Sequence, residues 1–180
     1  MTDHIRPRRD DDLNELLAVL AEQQPTSLYP ITWPPPPPAR NFVERPGNVA
    51  AWTAVRGGAL VGHACVESPA TDTWDDAVLV DAWSTAHQQP AEELAVVSAL
   101  FTSTAVRGSG LGGRLLNTAV EWIWDQGLAA CLSILPGPGP ALAIYQTHGW
   151  KIVGESRPGW VPEGAPSMLA LALSRSQTRG

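Results

Sequence analysis

The chain has 180 residues, 44% apolar and 17% charged, enough for one globular domain with a sizeable core and too few for two large ones. A net charge of -6, with only 12 Lys and Arg scattered along the sequence, argues against a nucleic-acid surface, which needs a basic stripe. No run of about 18 apolar residues occurs, so no membrane span is expected. The opening Met1-Thr2-Asp3-His4 lacks the charged-then-apolar layout of a secretion signal. Cys65 and Cys131 sit in apolar, strand-like runs and read as buried free thiols rather than a disulfide or metal site, which fits a cytoplasmic protein.

In chain order, residues 4–9 form a short strand candidate. Asp10-Asp11-Asp12 then supplies a cap and an acidic first turn, and Leu13, Leu16, Leu17 and Leu20 recur at helical spacing, predicting a helix over about 12–23. From 24 to 47, Pro25, Pro30, Pro34 to Pro38 and Pro46 exclude helix interior and sheet ladder, leaving a long stiff loop anchored by Tyr29, Ile31 and Trp33. The five consecutive prolines would alternatively suit an SH3-like partner as a polyproline helix. Residues 51–55 and 59–67 read as an antiparallel hairpin turning at Gly57-Gly58. A turn region over 68–76, a short strand at 77–80 and a small helix over 82–89, closed by Pro90, follow.

The largely apolar run 94–102 is a central strand covered on both faces. Leu111, Leu115, Leu116, Ala119, Val120 and Ile123 make the core face of a helix ending near Gly127, and 129–135 is another buried strand, so the three form a right-handed βαβ unit. After the bend Pro136-Gly137-Pro138-Gly139-Pro140, a helix is predicted over 141–148 and strands over 150–155 and 168–173. Residues 174–180 read as a loose tail to a single domain spanning 1–180, and no internal repeat is visible.

The stretch from Leu100 to Leu116 carries the most chemistry. An apolar strand runs through Arg107-Gly108-Ser109-Gly110-Leu111-Gly112-Gly113 straight into an amphipathic helix. Glycines permit a tight turn with bare backbone N–H groups, and the helix dipole points its positive end at the same spot, which makes an anion site of a size suited to pyrophosphate. Gly108-Ser109-Gly110-Leu111-Gly112-Gly113 also satisfies Gly-x-Gly-x-x-Gly, but the next strand offers no acid to hold a ribose, as a dinucleotide site requires. A Walker loop fails because Arg114-Leu115 follows the glycines instead of Lys and then Ser or Thr.

The Arg-Gly-x-Gly-x-Gly turn after an apolar strand resembles the acetyl-CoA-binding motif of the GNAT family of N-acetyltransferases. Ala141-Leu142-Ala143-Ile144-Tyr145-Gln146-Thr147-His148-Gly149-Trp150 is similar to the family's second signature, with Ile144 for Leu and Trp150 for Phe. Pro138 stands where the family often has Asn, so any cofactor contact through that amide is lost or rerouted. The resemblance implies an α/β (α+β mixed) GNAT fold: a mixed, mostly antiparallel sheet of six to seven strands flanked by helices, with an acetyl-CoA-binding βαβ unit. It implies acetyl-CoA as cofactor, Phe101 and Thr102 pairing with the pantetheine arm, and N–H groups from Arg107 through Gly113 (Arg107, Gly108, Ser109, Gly110, Leu111, Gly112 and Gly113) holding the pyrophosphate. The implied partner is a small-molecule or peptide amine, with no nucleic acid, membrane or metal, and a homodimer is admitted.

Acyl transfer to an amine needs a neutral nucleophile, a polarised thioester carbonyl and a proton for the leaving thiolate. A backbone N–H near Phe101 or Thr102 is the natural oxyanion donor. By the resemblance Tyr145 is the general acid; its phenol, of pKa about 10, passes a proton to the thiolate slightly uphill, so positioning must help. The base is less defined: the run 94–102 has no acid, and Glu93 at its start is the candidate. His63, His87 and His148 have suitable pKa values but read as structural or surface residues, and an amine can also lose its proton through water. Trp33 and Trp160, with Tyr29, lie in the two loops that in this family flank the acceptor groove, as walls for an apolar substrate or as rings pinning the loops. The alternative function is a GNAT-shaped acyl-CoA-binding or regulatory module that has lost chemistry.

Overall fold

Apolar segments of alternating or continuous pattern pair into seven strands in the computed structural model, which describes residues 2–71 and 74–175. They are β1 (Asp3–Pro7), β2 (Asn48–Arg56), β3 (Ala59–Glu67), β4 (Leu94–Thr102), β5 (Ala129–Ile134), β6 (Lys151–Ser156) and β7 (Met168–Leu173). Five α-helices accompany them: α1 (Leu13–Ser27), α2 (Arg40–Glu44), α3 (Ala77–His87), α4 (Leu111–Asp125) and α5 (Ala141–Thr147). The strand order is β1-β2-β3-β4-β5-β7-β6, and the pairs β1–β2, β2–β3, β5–β7 and β6–β7 are antiparallel. β4 and β5 are neighbours joined through α4, the arrangement of a βαβ unit. Pro7 is tolerated in β1 because that strand lies at the edge of the order. Among the described residues no helix is long and apolar enough to cross a membrane. The chain divides into two compact units, Met1–Glu67 with Val97–Glu121, and Ser68–Val96 with Trp122–Gly180.

In the first unit the apolar stripe of α1 does what its spacing predicts. Leu13, Leu16 and Leu20 are buried against Val43, Val55, Leu60 and Phe101. The helix does not stop at 23, however, but continues through Pro25 to Ser27. Proline removes one N–H near the C-terminus, and side chains tie down the last turn: Thr26 Oγ donates to the Gln23 carbonyl, Ser27 Oγ to Gln23 Oε1, and Leu28 closes the helix in the left-handed region. The loop expected over 24–47 is also interrupted by α2.

Asp12 joins three elements at the start of α1. It accepts both guanidinium nitrogens of Arg6 at 2.7 and 2.8 Å, the Arg9 N–H at 2.8 Å and the Thr53 hydroxyl at 3.3 Å. The Arg6 guanidinium, with the Arg9 and Thr53 donors, holds its carboxyl down to about 2. On β3, His63 is fully buried, and burial pushes its imidazole down to about 4. Its folded value lies below the unfolded one of about 6.5, so the unfolded chain takes up the proton first as pH falls. Stability is therefore full above about pH 6.5 and declines toward pH 4, by at most on the order of 3 kcal/mol, with Asp12 adding a further loss below that. Urea unfolding at pH 7, 5.5 and 4 checks this: His63→Gln should flatten the slope between pH 6.5 and 4, and an unchanged slope would assign the acid lability elsewhere.

In the second unit, the segment 77–80 expected as a strand is the first turn of α3. Four apolar residues satisfy either period, but Leu79 and Trp83 are buried while Asp81, which a strand would place on their face, is exposed, so the period is helical. Asp76 caps it, its Oδ1 accepting the Leu79 N–H at 3.2 Å. Leu79 and Trp83 pack with Leu94, Val96, Cys131 and Ala170. α3 approaches β6 closely: a Cβ on Gly154 would lie 2.6 Å from that of Ala82. The tail predicted over 174–180 lies outside the described residues beyond Arg175.

Candidate functional site

β4 ends at Thr102, a single 3-10 turn over Thr104–Val106 follows, and the glycine turn then leads into α4. Ser103 starts the 3-10 turn by accepting the Ala105 N–H on its side chain at 3.2 Å. Gly108 and Gly110 hold φ of +74° and +78°, where side chains are disfavoured. The backbone donors decide what the turn can bind. Arg107 N–H is spent on the Thr104 carbonyl and Ser109 N–H on that of Val106, each at 3.2 Å, and Arg114 is the first residue of α4 to bond back, to Gly110 at 3.0 Å. Among the described residues no hydrogen bond uses the N–H groups of Gly108, Gly110, Leu111, Gly112 and Gly113. The seven expected donors are thus five.

Space is open above them. A Cβ built on Gly108, Gly110 or Gly113 meets nothing within 4 Å, and one on Gly112 meets only the Thr102 methyl at 3.7 Å. Free N–H groups, the positive end of the α4 dipole and two exposed arginines, Arg107 and Arg114, make this an anion cradle that fits a pyrophosphate. Beside it, Gly62 of β3 lies so near the end of β4 that a Cβ would stand 3.2 Å from the Phe101 carbonyl and 2.9 Å from Leu115 of α4.

Residues that sequence reasoning did not single out hold the turn in place. Glu22 of α1 accepts the Thr104 N–H at 3.1 Å and the Thr104 hydroxyl, and that hydroxyl above all keeps its carboxyl below the usual range. Thr26 receives the Arg107 guanidinium on its hydroxyl. These partners lie about eighty positions apart, and no local pattern announces them. β4 also carries a departure no propensity predicts: Ala99 has φ of +46°, and its carbonyl meets His63 Nδ1 at 2.8 Å. Phe101 is buried with its ring 5.5 Å from that of His63, and Thr102 is half-buried.

The two proposed catalytic residues belong to the second unit. Tyr145 lies on α5, half-buried, with its ring edge-on to Trp150 at 6.4 Å, and its carbonyl accepts the N–H groups of His148 and Trp150. Glu93 is exposed and ends a 3-10 turn just before β4, whereas Phe101 and Thr102 end that strand. His87 Nε2 donates to the Ala130 carbonyl at 3.1 Å, and His148 Nδ1 donates to the Ile144 carbonyl at 2.8 Å, so both have backbone partners. Trp33 and Trp160 are exposed, and Tyr29 is packed edge-on against Phe42 at 5.4 Å. Cys65 and Cys131 are buried and unpaired, and burial pushes the Cys65 thiol up to about 12 and raises Cys131 further.

The fold and the glycine turn are those expected of an acetyltransferase domain, and comparison with known proteins agrees. The model of the acetyltransferase (GNAT) family matches residues 15–150. No curated protein matches the sequence. Among solved structures, the ribosomal-protein-S18-alanine N-acetyltransferase from Escherichia coli aligns with a TM-score of 0.65 at 14% identity, over 96% of this chain and 93% of that one. An N-acetyltransferase from Staphylococcus aureus Mu50 aligns with a TM-score of 0.67 at 17% identity, over 96% and 97%. A GCN5-related N-acetyltransferase from Kribbella flavida aligns with a TM-score of 0.63 at 16% identity, over 94% and 95%. At these identities the likeness concerns the fold. The chain belongs to the GNAT acetyltransferase family.

Proposed function

We propose that the protein transfers an acetyl group from acetyl-CoA to a primary amine of a small molecule or peptide, directly and without a covalent enzyme intermediate. The observation that carries this reading is the set of five unspent N–H groups, at Gly108 and at Gly110 to Gly113, facing open space. In this reading those groups and the α4 dipole hold the pyrophosphate, and the β4 end at Phe101 and Thr102 pairs with the pantetheine arm. Acetyl-CoA, when bound, supplies a thioester carbonyl open to a nucleophile. A backbone N–H near Phe101 or Thr102 takes the charge that develops on the carbonyl oxygen. Tyr145 gives its phenolic proton to the departing sulfur and is reprotonated from water.

The amine must arrive neutral. Because Glu93 sits a full strand length before Thr102 and the run 94–102 has no acid, the amine's proton passes to water in this scheme. Two buried, unpaired thiols suit a reducing compartment such as the cytoplasm.

The acid-free β4 also favours a second reading, a cofactor-binding module without chemistry. Free thiol released from acetyl-CoA during incubation with a panel of amines separates the two. The enzyme should produce thiol in step with acetylated amine, whereas a protein that binds acetyl-CoA yet releases none across the panel would be the module.

A further inference from the structure

Four arginines of the first unit are half-buried, and two of them have carboxylates. Arg6 forks onto Asp12 and Arg56 onto Asp3, the latter at 2.7 and 2.6 Å. Arg8 and Arg45 have no carboxylate within ion-pair distance among the described residues. Arg8 spends Nη1 on the carbonyls of Val43 at 3.1 Å and Glu44 at 3.2 Å, and stands 3.1 Å from His63 Nε2. Arg45 lays its guanidinium 4.4 Å from the Phe42 ring centre, while its Nε is buried with no partner. Glu67 attracts Arg45 without pairing with it.

Arg8 bonds the Glu44 carbonyl, one residue before Arg45, which brings the two cations to the same end of α2. His63, Cys65 and Glu67 alternate along one face of β3, and Tyr29, Phe42 and Arg45 come from the segment linking α1 to β2. His63 in turn touches β4 at the Ala99 carbonyl and the Phe101 ring. A guanidinium stays charged at any working pH, and drawing it out of water without an anion is costly, so arginines so placed are normally paired. Arg45 also holds a φ of +49° at the end of α2, where Gly or Asn is usual, so the backbone too is strained to present it. Two neighbouring guanidiniums, neither in contact with a carboxylate and one with a buried Nε that has no partner, leave a place for an incoming anion.

We infer that the acceptor of acetyl transfer carries a carboxylate, as an amino acid does, and that Arg45, with Arg8 beside it, receives that carboxylate. This inference rests on the acetyltransferase reading for the word acceptor, but the carboxylate site itself can be tested without turnover. His63, which burial keeps neutral at working pH, adds no competing charge beside Arg8. Phe42 and Tyr29 offer an apolar wall to the body of such a ligand.

The test titrates the full chain, at constant chloride ionic strength, with matched carboxylate and amide pairs from propanoate and propanamide to 3-phenylpropanoate and 3-phenylpropanamide. Calorimetry and melting curves read the binding. At least one acid should bind about tenfold or more tightly than its amide, the loss expected when a charge-assisted pair is removed. Arg45→Met keeps the stem and removes the charge. It should erase the difference, with melting of the unliganded variant confirming that it is folded. Arg45→Lys should retain part of the preference. If no acid outbinds its amide on the unmodified chain, or Arg45→Met or another foldable Arg45 variant lacking the charge still discriminates, the inference is overturned. A parallel acetyl-CoA titration reports on the acetyltransferase reading separately, so failure of one is told from failure of the other.

Discussion

Gly110→Val should abolish acetyl-CoA binding while leaving a folded protein. Gly110 holds φ of +78°, a region that costs an L-residue about 1–2 kcal/mol and a β-branched one no less. For a chain of this size that is a fall in Tm of roughly 3–6 °C. Nothing lies within 4 Å of the added Cβ, so no clash within the fold compounds the strain. The two extra methyls instead stand where the pyrophosphate must sit, between N–H groups that have no other acceptor. Binding should weaken by at least about a hundredfold, the loss expected when several charge-assisted bonds fail together. A variant that melts a few degrees low yet binds acetyl-CoA like the parent would show that the cradle is not the cofactor site.

Tyr145→Phe should separate chemistry from binding. The ring packs edge-on against Trp150, and phenylalanine preserves that contact, so the variant should fold and keep its acetyl-CoA affinity. The missing hydroxyl removes the proton donor, for which a loss in kcat of about 10²- to 10³-fold is expected. The deficit should shrink when the leaving thiol is more acidic, because a better leaving group needs less help. Normal turnover of Tyr145→Phe would reduce Tyr145 to a packing residue and move the acid elsewhere.

What was legible in the sequence is what short-range rules control. The glycine turn, the 94–102 strand and the α4 stripe declare themselves within a few residues, because turn conformation and helical period are local properties. The segment at 77–80 reads either way because four apolar residues cannot tell period 2 from period 3.6, and the exposed Asp81 between buried Leu79 and Trp83, which decides it, lies beyond them. Pro25 misled because the hydroxyls and amide that rescue its helix end are capping bonds formed only in the folded chain. The donors at Arg107 and Ser109 were counted as free because their acceptors, the Thr104 and Val106 carbonyls, belong to a 3-10 turn that composition does not mark. Least legible were the long-range polar contacts. Glu22 with Thr104 and Arg8 with His63 join residues 82 and 55 positions apart, and whether Arg45 finds a carboxylate is a question that only three dimensions answer.

The measurement that bears most directly on this account is a calorimetric titration of the unmodified protein with acetyl-CoA, set beside one with NAD. The five free amides and the acid-free strand after α4 predict saturable binding of acetyl-CoA at micromolar concentration and none of NAD. No heat from any CoA thioester at millimolar concentration, or tight uptake of NAD, would contradict it.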